Sequence, residues 1–195
     1  MTAGRPRAVD KTAALESALM VFWEKGFEGA SLNDLTRSMN INRSSLYTIF
    51  GSKQDLFYLA LDHYVSGRPF LSSEILNKDT AREAVEEILN LSADSATDPN
   101  TPPGCLIIQG GISGGEESQF IRKELISRRN DAEHNLKQRL EKAKETGELP
   151  ENSNPAVLAR FITTVLEGIS IQAADGATRE EIQEVIDLAL QLWPN

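Results

Sequence analysis

The stretch that most constrains how this chain folds is residues 31–50, SLNDLTRSMNINRSSLYTIF. Apolar side chains fall at Leu32, Leu35 and Met39, with i, i+3, i+7 spacing, and again at Leu46, Ile49 and Phe50, with i, i+3, i+4 spacing. Each set marks one face of a short helix. Only Asn40-Ile41-Asn42 separates the two. Asparagine tolerates left-handed backbone, so Asn40 can close the first helix and Asn42 can N-cap the second. Two short amphipathic helices joined by so tight a turn read as a helix-turn-helix. The buried set of the second helix leaves Arg43, Ser44, Ser45, Tyr47 and Thr48 facing away from the core. This short polar row is suited to the major groove of DNA.

The flanking residues build a head around that pair. From Asp10, an expected N-cap, a helix runs to Lys25 with Leu15, Ala18, Leu19, Phe22 and Trp23 on its apolar side. Gly26 supplies a left-handed closing position, and Phe27 is placed to fold back on the helix end. Ser31 with Asp34, and Ser52 with Asp55, have the spacing of capping boxes. The helix opened by Ser52 has a stripe at Leu56, Leu59, Ala60 and Tyr64, and its N-terminal N–H groups beside Lys53 form an expected phosphate seat. The formal net charge is −9, which argues against nucleic acid until its distribution is read. Residues 1–53 carry seven bases against five acids, a net +2, which leaves −11 on the remainder. A mildly basic head on an acidic body is compatible with DNA contact through the head. The leading Gly-Arg-Pro-Arg segment, with Arg5 and Arg7, reads either as an arm reaching phosphates or the minor groove or as a solvating tail.

Three segments together carry a family resemblance: Phe22-Trp23-Glu24-Lys25-Gly26-Phe27, Ser31-Leu32-Asn33-Asp34-Leu35, and Ser45-Leu46-Tyr47-Thr48-Ile49-Phe50-Gly51-Ser52-Lys53. Over about residues 10–62 the chain resembles the tetracycline-repressor (TetR) family of bacterial regulators. It departs at Asn40, where the family commonly has glycine. The resemblance implies an all-α homodimer of about nine helices. An N-terminal three-helix helix-turn-helix DNA-binding domain would be followed by a C-terminal helical bundle for effector binding and dimerisation. We divide the chain accordingly into residues 1–51 and 52–195.

Beyond residue 64 the pattern predicts helices at about 80–96, 117–146, 155–174 and 178–193, with a break at Gly67-Arg68-Pro69 and a loop over residues 98–104. The last two helices carry more apolar surface than one neighbour covers, which points to a partner. Phe161, Val165, Ile169, Ile182, Ile186, Ala189 and Trp193 are the expected dimer interface. No apolar run approaches the roughly 20 residues of a membrane span, and no apolar segment follows the basic N-terminus as in a secretory signal. A single cysteine provides no internal disulfide and fits a reducing cytoplasm. The run from Gly110 to Gly115 lacks the Lys-Ser/Thr of a phosphate loop, and neither His63 nor His134 has a ligand at metal spacing. No cofactor is expected.

For DNA, Arg43, Ser44, Ser45 and Thr48 are the candidates for base edges. Tyr47 and Lys53 are the candidates for phosphates, with Ser31, Asn42, Arg5 and Arg7 as further contacts. For the effector pocket the candidates are Tyr64, Phe70, Leu89, Cys105, Gln109 and Phe120, with Phe161 from a later helix; such a lining suits a small, mostly apolar molecule. Cys105 follows a Pro-Pro-Gly break and opens an apolar helix, so it reads either as a reactive, sensing thiol or as a small packing residue. The expected function is a cytoplasmic homodimeric repressor on a near-palindromic double-stranded operator, released by a small effector. Its rivals are a thiol enzyme using Cys105 and a helical adaptor that does not bind DNA.

Overall fold

The inward phenylalanines of the first helix settle how the head closes. The computed structural model describes residues 10–68, 73–110 and 118–194, and among these it has ten helices and no strand. Helix α1 (Lys11–Gly29) is capped by Asp10, whose carboxylate accepts the N–H groups of Thr12 and Ala13 at 3.0 and 3.2 Å. Gly26 breaks it with φ 68°, and the chain turns back so that Phe27 stacks on Phe22 at 6.3 Å. Both rings meet Phe57 of α4 (Lys53–Ser66) edge to face, at 5.0 Å for Phe22 and 5.4 Å for Phe27. Tyr64 of the same helix packs edge to face on Trp23 at 4.9 Å. Between α1 and α4 lie α2 (Leu32–Ser38) and α3 (Arg43–Phe50).

Helix α4 therefore belongs with the head, burying Leu56, Phe57, Ala60, Leu61 and Tyr64. The two compact units divide between Gly67 and Arg68, later than the expected division after residue 51. The inward stripe also differs from expectation. Leu59 is 43% exposed, and Phe57 and Leu61 fill the face it was expected to share.

The second unit contains α5 (Ser73–Leu76), α6 (Ala81–Ala96), α7 (Leu106–Gln109), α8 (Gln119–Glu145), α9 (Pro155–Ala174) and α10 (Arg179–Gln191). Capping boxes open α6 and α10, at Thr80 with Glu83 and at Thr178 with Glu181. One core runs through α6, α8, α9 and α10, with Val85, Ile88, Leu89, Leu136, Leu140, Ile162 and Ile186 all fully buried. Arg139 of α8 is buried in a two-point ion pair with Glu148, at 3.2 and 3.0 Å. The Glu148 carboxylate also accepts the N–H of Ala81 at 2.6 Å, fastening the end of α8 to the start of α6. Burial pushes this carboxyl up, but the Arg139 guanidinium and the Ala81 N–H outweigh it and hold it below the ordinary glutamate value.

Against the expectation from sequence, α9 is long and apolar enough, by length and composition, to cross a membrane. It lies against α6, α8 and α10, while only 28% of its apolar window is buried within the single chain.

Candidate nucleic-acid interface

The recognition pair is locked by hydrogen bonds that the sequence encodes locally. Ser31 Oγ accepts the N–H of Asp34 at 3.1 Å, and the Asp34 carboxylate accepts the Ser31 N–H at 3.2 Å and its hydroxyl at 2.7 Å. Lys25 of α1 approaches the other Asp34 oxygen at 3.2 Å. The Ser31 hydroxyl foremost, with Lys25 assisting, holds the Asp34 carboxyl below the usual aspartate value. Asn40 has φ 52°, the one non-glycine residue with positive φ among those described, and the Ile41 N–H then closes on the Thr36 carbonyl at 3.1 Å. Asn42 Oδ1 caps α3 by accepting the Ser45 N–H at 2.8 Å.

Leu46 and Phe50 bury the inner face of α3, which fixes what faces out. Arg43, Ser44 and Thr48 are exposed, Tyr47 is 51% exposed, and Ser45 is half-buried. The Thr48 hydroxyl donates to the Ser44 carbonyl at 2.8 Å, so it meets a ligand as an acceptor. Arg43 reaches back to α2, donating from Nη2 to Asn33 Oδ1 at 2.9 Å. Sequence reading missed Asn33, because a pair ten residues apart on two helices leaves no periodic signal.

Other expected contacts are already engaged within the head. The Ser31 hydroxyl and N–H are both committed to the capping box. At the start of α4, Asp55 accepts the Ser52 N–H at 2.8 Å and its hydroxyl at 2.7 Å, completing a capping box beside the expected phosphate seat. Lys53 Nζ lies 4.6 Å from the centre of the Phe27 ring. Partial burial lowers its pKa, with Glu28 opposing that shift. Arg5 and Arg7 lie outside the described residues, as does Phe70.

The expected effector residues divide between the two units. Tyr64 is buried in the first, and Leu89 is fully buried in the core of the second. Cys105 and Gln109 converge on Ser170 of α9. The Cys105 N–H donates to Ser170 Oγ at 2.8 Å, and Gln109 Nε2 approaches the carbonyls of Pro103 and Ser170 at 3.3 and 3.5 Å. Gly104 has φ 81°, and a Cβ there would stand 2.1 Å from Gln109 Nε2. Cys105 is the N-cap of α7, a single turn. Phe120 and Phe161 are half-buried. Ser170, flanked by Ile169 and Ile171 in the sequence, is the buried hydroxyl at this junction.

The residues of the expected dimer interface differ in their burial. Ile169, Ile182, Ile186, Ala189 and Trp193 are buried within their own chain. Phe161 and Val165 are half-buried. The apolar side chains left outside are Val157, Val185, Leu188 and Leu192, from 50% to 63% exposed.

Comparison with known proteins agrees with this geometry. Residues 14–58 match the family described as bacterial regulatory proteins, tetR family, and residues 81–188 match the tetracyclin repressor-like C-terminal domain. The chain is 31% identical to the HTH-type transcriptional repressor ComR of Escherichia coli (strain K12), covering 98% of this chain and 92% of that one. It is 29% identical to the HTH-type regulator YezE of Bacillus subtilis (strain 168), covering 97% and 98%. Among solved structures it is similar to a cysteine mutant of the TetR family regulator CifR complexed with 26-base-pair operator DNA, with 38% identity, TM-score 0.92, and coverage of 97% and 100%. The chain belongs to the TetR family of bacterial regulatory proteins and is a DNA-binding transcriptional regulator, not an enzyme.

Proposed function

We propose that this regulator is a cytoplasmic homodimeric repressor that reads a near-palindromic operator and is released by a small effector. The observation that carries the reading is the outward row of α3: Arg43, Ser44, Tyr47 and Thr48 are exposed on a helix whose opposite face is locked into the head. Arg43, Ser44, Ser45 and Thr48 read base edges, while Tyr47, Lys53 and Asn42 hold the phosphate frame. Lys53 leaves the Phe27 ring to do so. Arg5 and Arg7 extend the contact toward the minor groove.

The partner is a second copy of the chain. Val157, Phe161 and Val165 of α9 with Val185 and Leu188 of α10 and its C-cap Leu192 form the interface, which accounts for apolar side chains that a lone chain would leave in water. A two-fold axis there presents two recognition helices, spaced about one turn of DNA, roughly 34–36 Å apart. The effector binds in the second unit near the Cys105–Gln109–Ser170 junction. It favours a dimer whose recognition helices no longer fit adjacent grooves, and a coupling of about 1–3 kcal/mol would weaken operator binding roughly 5- to 150-fold.

Gel-shift titration of genomic fragments with the purified chain tests the reading. It expects a small set of fragments to be retained selectively, with affinity falling steeply as salt rises. Equal retention of all fragments, or of none, sinks it.

A further inference from the structure

We propose that Asn33 is a positioning residue for DNA reading: it holds the Arg43 guanidinium in place and so sets the base preference at the position Arg43 meets. The inference rests on the DNA-reading role proposed for α3. It starts from a single bond, Arg43 Nη2 to Asn33 Oδ1 at 2.9 Å, between two exposed side chains.

Arginine carries among the largest rotamer freedoms of any side chain, and a reader that must be ordered at each encounter discriminates poorly. Asn33 supplies a fixed anchor. It is the second residue of α2, in the turn held by the Ser31–Asp34 capping box, and Asp34 is tied to α1 through Lys25. Arg43 is the first residue of α3, whose start is fixed by the Asn42 cap. The two ends of the bond therefore sit on turns that are each pinned, with Asn40 setting the connection between them.

The chemistry of the pair also fits reading better than stability. The guanidinium has five N–H donors; Asn33 takes one and guanine O6 and N7 would take two. An exposed bond of this kind contributes little to folding, because water competes for both partners. When DNA excludes that water, the same bond strengthens and the guanidinium stays aimed. A neutral acceptor suits the place. A carboxylate would hold Arg43 as well, but would add negative charge against the phosphates.

The test selects double-stranded oligonucleotides with a randomised core, using the full chain as wild type, Arg43→Ala, Asn33→Ala, Asn33→Asp and the Asn33→Ala/Arg43→Ala double variant. Arg43→Ala should erase the preference at one symmetric pair of operator positions. Asn33→Ala should weaken the preference at that same pair about three- to tenfold, leave the other positions unchanged, and add nothing in the Arg43→Ala background. Asn33→Asp should keep the preference while lowering affinity for every sequence. Unchanged melting temperatures would show that the substitutions spare the fold.

An Asn33→Ala protein that keeps the full preference, or loses it at a different position, overturns the inference. So does an equal loss of affinity for all sequences whether or not Arg43 is present, which would make Asn33 a phosphate contact in its own right. If Arg43→Ala itself changes no position, Asn33 has no reader to position. A wild-type chain that enriches no sequence removes the DNA-reading role, and the inference with it.

Discussion

Among single residues, Arg43 is the one placed to carry the most base discrimination. It stands at the first position of α3 and is exposed, with its guanidinium held to one side by Asn33. Arg43→Ala is expected to cost about 1–3 kcal/mol at the operator and to relax specificity at one position of each half-site, measured by fluorescence anisotropy on operator and single-base variants. That Arg43, Ser44, Tyr47 and Thr48 face outward was legible in the sequence, because the spacing of Leu46, Ile49 and Phe50 assigns the opposite face to the core. What each outward group touches was not. The Lys53–Phe27 contact and the Arg43–Asn33 bond join different helices, and no local pattern encodes such a pairing.

At the scale of elements, the turns and caps were the most readable features and the inward faces the least. Asn40 adopts φ 52° as its residue type suggests, so Asn40→Ala should lower head stability by about 1 kcal/mol, while Asn40→Gly should leave it unchanged or raise it. Thermal unfolding of the two variants distinguishes them. The inward stripe of α4 takes Phe57 and Leu61 in place of the expected Leu59 because the two faces are equally apolar, and only the position of α1 decides between them.

The Arg139–Glu148–Ala81 tie is a second element-scale feature, linking α8 to α6 across 67 residues of sequence. Because the folded carboxyl is held below its unfolded value, its stabilisation is fully present above the ordinary glutamate pKa of about 4.3 and is lost as pH falls through the lower folded value. Urea midpoints taken from about pH 6 down to about pH 3 should therefore fall more steeply in wild type than in Glu148→Gln. At neutral pH the variant should be less stable by about 2 kcal/mol, since it leaves Arg139 buried without its charge partner. Parallel pH curves for the two proteins would contradict this.

For the whole molecule, the sequence revealed a surplus of apolar surface on α9 and α10 but not which side of each helix is left over. The apolar stripe on each helix is wider than one neighbour covers, and only the packing of α10 on α6 and α9 shows that Ile182, Ile186 and Trp193 are buried within one chain. What remains, Val157, Val185, Leu188 and Leu192, is the surface assigned to the second copy. The paired substitution Leu188→Glu and Leu192→Glu should give a folded monomer by sedimentation, with operator affinity reduced at least tenfold by loss of the second recognition helix. Ile186→Glu, in contrast, should unfold the second unit by burying an unpaired charge.

Dimeric reading of DNA is the central claim, and the mass of the wild-type complex tests it most directly. Light scattering coupled to size exclusion, on a selected operator at physiological salt, should give two chains per operator, or a whole multiple of two. Footprinting of the same complex should show two protected patches about one helical turn apart. One chain bound to one half-site at full affinity, or no complex that distinguishes the operator from scrambled DNA, would contradict the account.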